Sequence, residues 1–119
     1  MIDHIGFEVS DLRRSARFYD AVFFALGVRR LLDSERAIAY GVTEPRFWLV
    51  ARAQCDVPVA GRRTATASGR VAVDAAHRAG VASGGSDDGL PGPRPQYGPG
   101  TYACYLRDPD GLRVEVVVH

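Results

Sequence analysis

Apolar and polar residues alternate at both ends of this chain. In Leu112-Arg113-Val114-Glu115-Val116-Val117-Val118-His119, Val114, Val116 and Val118 fall on one face of a predicted strand, and Arg113, Glu115, Val117 and His119 on the other, because successive side chains point to opposite sides of a sheet. Just before it, Asp108-Pro109-Asp110-Gly111 combines a Pro that presets φ with an Asp-Gly pair that tolerates positive φ. The segment 102–118 is therefore predicted as a β-hairpin. At the N-terminus, Ile5, Phe7 and Val9 form an apolar face and His4, Gly6 and Glu8 the other. Each end of the chain thus offers a metal-competent side chain, His4 and Glu115, on the polar face of a strand.

Between these ends the period changes. Leu12, Phe18, Tyr19, Val22, Phe23 and Leu26 recur at helical spacing, with Ser10 or Asp11 as the cap and Gly27 as the stop. Three short strands are predicted next, at 28–32, 37–41 and 46–51, separated by polar turns. The second half repeats the order: a strand at 62–67, a helix at 70–79 closed by Gly80, a strand starting at 81–83, and the final hairpin. The run 89–100 is rich in Pro and Gly and is predicted as a loop, from which Arg94 and Tyr97 can reach a pocket. Ala76-His77-Arg78-Ala79-Gly80-Val81 answers Phe23-Phe24-Ala25-Leu26-Gly27-Val28, which implies duplication. The expectation is an α+β fold of two β-α-β-β-β modules, about 1–55 and 60–119 of a single domain, whose curved mixed sheets surround a central cleft.

Composition narrows the partners. The chain has 119 residues, 46% of them hydrophobic, enough for one core without disulfides. Its 15 basic and 14 acidic residues nearly cancel, and every Lys+Arg residue is Arg, so neither nucleic acid nor an anionic membrane surface is an expected partner. No apolar run reaches the roughly 20 residues that span a bilayer. A start of Met-Ile-Asp-His lacks the basic and apolar regions of a signal peptide, which predicts a cytoplasmic, reduced protein. Cys55 and Cys104 are not spaced as metal ligands and are expected to be inert thiols.

The element order, Asp3-His4-Ile5-Gly6-Phe7 at the start, Arg17-Phe18-Tyr19 on the first helix, and Asp108-Pro109-Asp110-Gly111 leading into Glu115 together resemble the vicinal oxygen chelate superfamily. That group includes glyoxalases, bleomycin-resistance proteins and extradiol dioxygenases. The resemblance implies a small-molecule ligand, a homodimer and, in metal-using members, ligands from the first and last strand of each half. His4 and Glu115 match two of those positions. Trp48 stands where a carboxylate is expected and Arg62 where a His is common, and neither side chain can donate a lone pair to a metal. His119 shares the face of Glu115 but lies four residues along, roughly 13 Å in an extended strand.

Three readings follow. In one, Arg62 replaces the charge of the divalent metal, Trp48 is a stacking wall, Arg94 and Tyr97 contact substrate, and His4 moves a proton. In another, a further residue completes a divalent-metal site at His4 and Glu115, and the protein is a lyase, isomerase or dioxygenase. In the third it sequesters a drug or ligand without altering it. Against these stand a solvated Arg62 and a Trp48 that serves only packing.

Overall fold

The computed structural model describes residues 5–51 and 63–119. His4, Cys55 and Arg62 lie outside the described residues. Among the described residues, eight strands and two long helices follow the order β1 (Ile5–Val9), α1 (Leu12–Ala25), β2 (Arg29–Asp33), β3 (Ala37–Gly41), β4 (Phe47–Ala51), β5 (Arg63–Thr66), α2 (Arg70–Ala82), β6 (Ser86–Pro93), β7 (Tyr102–Arg107) and β8 (Arg113–Val118). They form two four-stranded mixed sheets of the same topology, β1-β4-β3-β2 and β5-β8-β7-β6. In each, the first strand pairs parallel with the last and the other pairs are antiparallel. The duplicated α+β architecture expected from the sequence is present.

Strand parity sets the core. In β8, Val114 and Val116 are buried against α2 and its neighbours, while Glu115 sits on the opposite face. In β4, Phe47, Leu49 and Ala51 face the core and Trp48 and Val50 do not. Each helix packs on its own sheet, and α1 packs against α2. The faces bearing Glu115 and Trp48 are therefore the two sheet faces turned away from the helices. No described helix is long and apolar enough to cross a membrane.

The helix ends show where the sequence pattern misled. Asp11 caps α1 by accepting from the Arg14 N–H at 3.1 Å, and Gly27 follows its end with φ of 78°, a left-handed conformation that costs a residue with Cβ. Gly80, however, does not end α2. It lies inside the helix, where a Cβ would come within 2.9 Å of Leu106 Cδ1, 3.0 Å of Val22 Cγ2 and 3.1 Å of Phe18 Cε1. Its role is to let the helices approach. The true counterpart of Gly27 is Gly84, with φ of 103°, just past the C-cap Ser83. Consequently residues 81–82 are helix, not the start of a strand.

The run 89–100 also departs from expectation, because Gly89–Pro93 complete β6. Composition hid this strand. Gly89, at φ 156°, leaves space for the ring of Tyr105 on β7, which a Cβ would meet at 2.8 Å. Register shifts on either side of Gly89 absorb the irregularity.

The Asp-Pro-Asp-Gly turn joins the modules. Asp108 is buried, accepts from the backbone N–H of Asp110 and Leu112 through Oδ1, and takes the Tyr19 hydroxyl on Oδ2 at 2.8 Å. Asp110 accepts from the Ser10 N–H and hydroxyl and pairs with Arg14 at 3.0 Å. Burial alone would raise the Asp110 carboxyl, but the bonds from Ser10 and Arg14 outweigh it and hold the group below the usual carboxylate range. The final hairpin is thereby anchored to the start of α1.

Candidate functional site

Glu115 occupies the middle of β8, with β5 on one side and β7 on the other. Register places Thr64 and Tyr105 directly beside it, so two hydroxyl side chains flank one carboxylate on the face away from α2. The Thr64 hydroxyl donates to Glu115 Oε1 at 3.3 Å. Burial raises the Tyr105 phenol above its ordinary value, and hydrogen bonding to Glu115 adds to that shift because ionisation would place two negative charges together. Tyr105 is thus held as a neutral hydrogen-bonding group beside an acceptor.

Glu115, Thr64, Tyr97, Thr101, Val117 and His119 line a cavity of about 280 Å³. Tyr97 enters from a 3-10 turn at Pro95–Tyr97, is 58% exposed, and hydrogen-bonds the Tyr105 side chain. His119, four residues from Glu115 along the strand, nevertheless borders the same space. Arg94 is adjacent but directed elsewhere: it donates to the carbonyls of Leu90 at 2.8 Å and Pro93 at 3.1 Å, and its guanidinium lies 5.6 Å from the Tyr105 ring centre. Arg113 approaches the same ring at 4.1 Å while its Nε is 3.1 Å from Asp88. Two cations therefore fix the Tyr105 ring.

Trp48 is not in this group. It lies on the open face of the first sheet, between Gly6 on β1 and Ala39 on β3, and is half-buried there. Thus the structure brings Glu115 and Tyr97 together, sets Arg94 behind them, and leaves Trp48 on the other module. Thr64, Tyr105 and Thr101 were missed by sequence reasoning. Parity held the signal for Tyr105, since in a hairpin turning at 108–111 it faces Glu115. Thr64 needed the long-range parallel pairing of β5 with β8, which no local pattern encodes.

Among the described residues, no three or more His, Cys, Asp or Glu side chains come together in a way that could hold a metal ion. The positions flanking Glu115 carry hydroxyls of Thr and Tyr in place of imidazole or carboxylate. Among the described residues this donor set does not supply the three or four protein ligands of a catalytic metal centre. Cys104 offers no alternative: burial pushes its thiol up to about 12, which keeps it protonated and unreactive.

The fold and this face can be set beside known proteins. A glyoxalase/bleomycin resistance protein from Albidiferax ferrireducens T118 is 28% identical and superposes with a TM-score of 0.87, covering 100% of this chain and 99% of that one. Lactoylglutathione lyase from Agrobacterium tumefaciens is 22% identical at a TM-score of 0.68, covering 99% and 92%. The fosfomycin resistance protein FosX from Mesorhizobium loti is 17% identical at 0.71, covering 100% and 92%. These last two share the fold. No curated protein matches the chain. The family model of the Glyoxalase/Bleomycin resistance protein/Dioxygenase superfamily matches residues 1–116, and with the paired β-α-β-β-β modules in place the chain belongs to that superfamily.

Proposed function

We propose that this protein binds a small organic molecule on the open face of its second sheet, with Glu115 as the central acceptor and no resident metal required. The observation that carries this reading is the row Thr64, Glu115, Tyr105, in which a carboxylate is flanked by hydroxyls beside a cavity. A carboxylate so placed accepts from a ligand N–H or O–H. Tyr97 supplies a ring and a hydroxyl at the mouth. His4 and Arg62 remain candidates for moving a proton and gripping an oxyanion.

The protein acts as a homodimer in this reading. β1 and β5 each pair with only one strand among the described residues, and Trp48 and Glu115 sit on different open faces. A second copy laid along these edges would set its Trp48 face across the Glu115 face as an apolar wall.

A metal-dependent lyase, isomerase or dioxygenase is the second reading, favoured by one observation: His119 borders the Glu115 cavity. Elemental analysis of protein purified without chelator separates the two. The proposal expects no stoichiometric Ni, Zn, Mn or Fe and a bound small molecule recovered unchanged. Stoichiometric metal that disappears in Glu115→Ala contradicts it.

A further inference from the structure

A second cavity, of about 410 Å³, lies where the modules meet, between α1, the β3–β4 turn and β5. Ala65 and Val114 border it from the helix-facing side of the second sheet, so it is separate from the Glu115 face. The two spaces share Thr64 alone among the described residues. Its size falls within the range of sites that hold small organic ligands, roughly 300–1,000 Å³.

Behind its lining stands a cluster of rings whose polar ends are already engaged. Tyr19, Phe23, Tyr40 and Phe47 form one cluster, with neighbouring centroids 4.9 to 6.2 Å apart. The Tyr19 hydroxyl donates to Asp108 at 2.8 Å and the Tyr40 hydroxyl to Asp20 at 2.7 Å. Tyr19 and Tyr40 are buried behind the lining, so the apolar surface offered to the cavity comes from Leu26, Val28, Val42, Phe47 and Ala65 in front of them. At the rim, Arg46 and Glu44 pair at 2.6 Å and offset each other's charge. An ionic ligand would find no net countercharge in this pair, and a flat apolar one would gain ring contact and water release.

We propose that this junction cavity is a second binding site, specific for an uncharged aromatic molecule and independent of the Glu115 face. Binding of the uncharged fluorophore N-phenyl-1-naphthylamine tests it in the full chain. The wild-type protein is expected to bind with a blue-shifted, saturable signal. Ala65→Phe and Leu26→Trp, each adding bulk inside the cavity, are expected to weaken binding at least tenfold while circular dichroism and thermal unfolding report a folded chain. Two variants guard against one failing to fold. Glu115→Ala is expected to bind the fluorophore as the wild type does. Absent wild-type binding, unchanged binding in both folded variants, or loss of binding in Glu115→Ala each overturns the proposal. So does an intermolecular nuclear Overhauser contact from a second copy to the Val22 or Leu26 methyls, since a second copy would then occupy the cavity.

Discussion

The two modules share a topology and differ in what their faces hold. Around α1 the core is aromatic, built from Tyr19, Phe23, Tyr40 and Phe47. Around α2 it is small and aliphatic, with Val73, Ala76, Leu106, Val114 and Val116. The open faces differ in the other direction. On the first sheet Trp48 lies between Gly6 and Ala39, whereas on the second Glu115 lies between Thr64 and Tyr105. Duplication therefore preserved the backbone and separated the chemistry: one face is fitted for apolar contact, the other for hydrogen bonding.

The glycines of the two halves give the largest test of this difference. Gly80→Ala forces a Cβ against Leu106, Val22 and Phe18, and overpacking of this kind costs about 1–3 kcal/mol. Gly27→Ala meets no neighbour but keeps a positive φ, for which about 1–2 kcal/mol is expected. Urea unfolding of both variants should rank Gly80 above Gly27. The reverse order would mean that the helices do not cross at Gly80.

Next come the open faces. Trp48→Ala and Glu115→Ala each weaken ligand binding if a second copy joins their faces. Mixing the two variant proteins should then restore about a quarter of the sites after random subunit exchange, because each mixed dimer regains one intact pair. No restoration would place both residues in independent roles. Tyr105→Phe removes one partner of Glu115, and about 0.5–1.5 kcal/mol of stability should be lost in thermal or urea unfolding.

The smallest effect is on pH dependence. Asp110 is held below its ordinary value in the folded protein, so its contribution is present above the unfolded aspartate value of about 3.9 and lost as pH falls through the lower folded value. Asp110→Asn should flatten the acid limb of the stability curve. An unchanged limb would show that the Ser10 and Arg14 bonds do not tie the hairpin to α1.

Much of this was legible in the sequence, for reasons that also explain the failures. Period-two alternation placed Val114 and Val116 inward and Glu115 outward, and the family resemblance put Trp48 on the open face of β4. The hairpin turn was legible because Pro109 fixes φ and Gly111 tolerates the positive φ, 83°, that the turn requires. Gly80 was misread because a glycine that ends a helix and one that lets another helix approach look alike without a partner. β6 was expected to start at 81–83 and lies at Ser86–Pro93 instead; its second half was read as loop because Gly89 serves the Tyr105 ring across the sheet, a requirement set by tertiary contact. Arg94 was legible as a loop cation near the site, yet its guanidinium is spent on backbone carbonyls. Thr64 depended on a parallel pairing 51 residues distant from Glu115 in sequence.

Ligand mapping on isotopically labelled wild-type protein reaches the central claim most directly. A set of small amines, amides and alcohols, titrated in metal-free buffer, is expected to shift the amide resonances of Thr64, Tyr97, Tyr105 and Glu115 together. The same titration of Glu115→Ala should lose at least tenfold in affinity, about 1.4 kcal/mol. Binding that appears only after a divalent metal is added, or that leaves these four resonances unmoved, would contradict a metal-free site centred on Glu115.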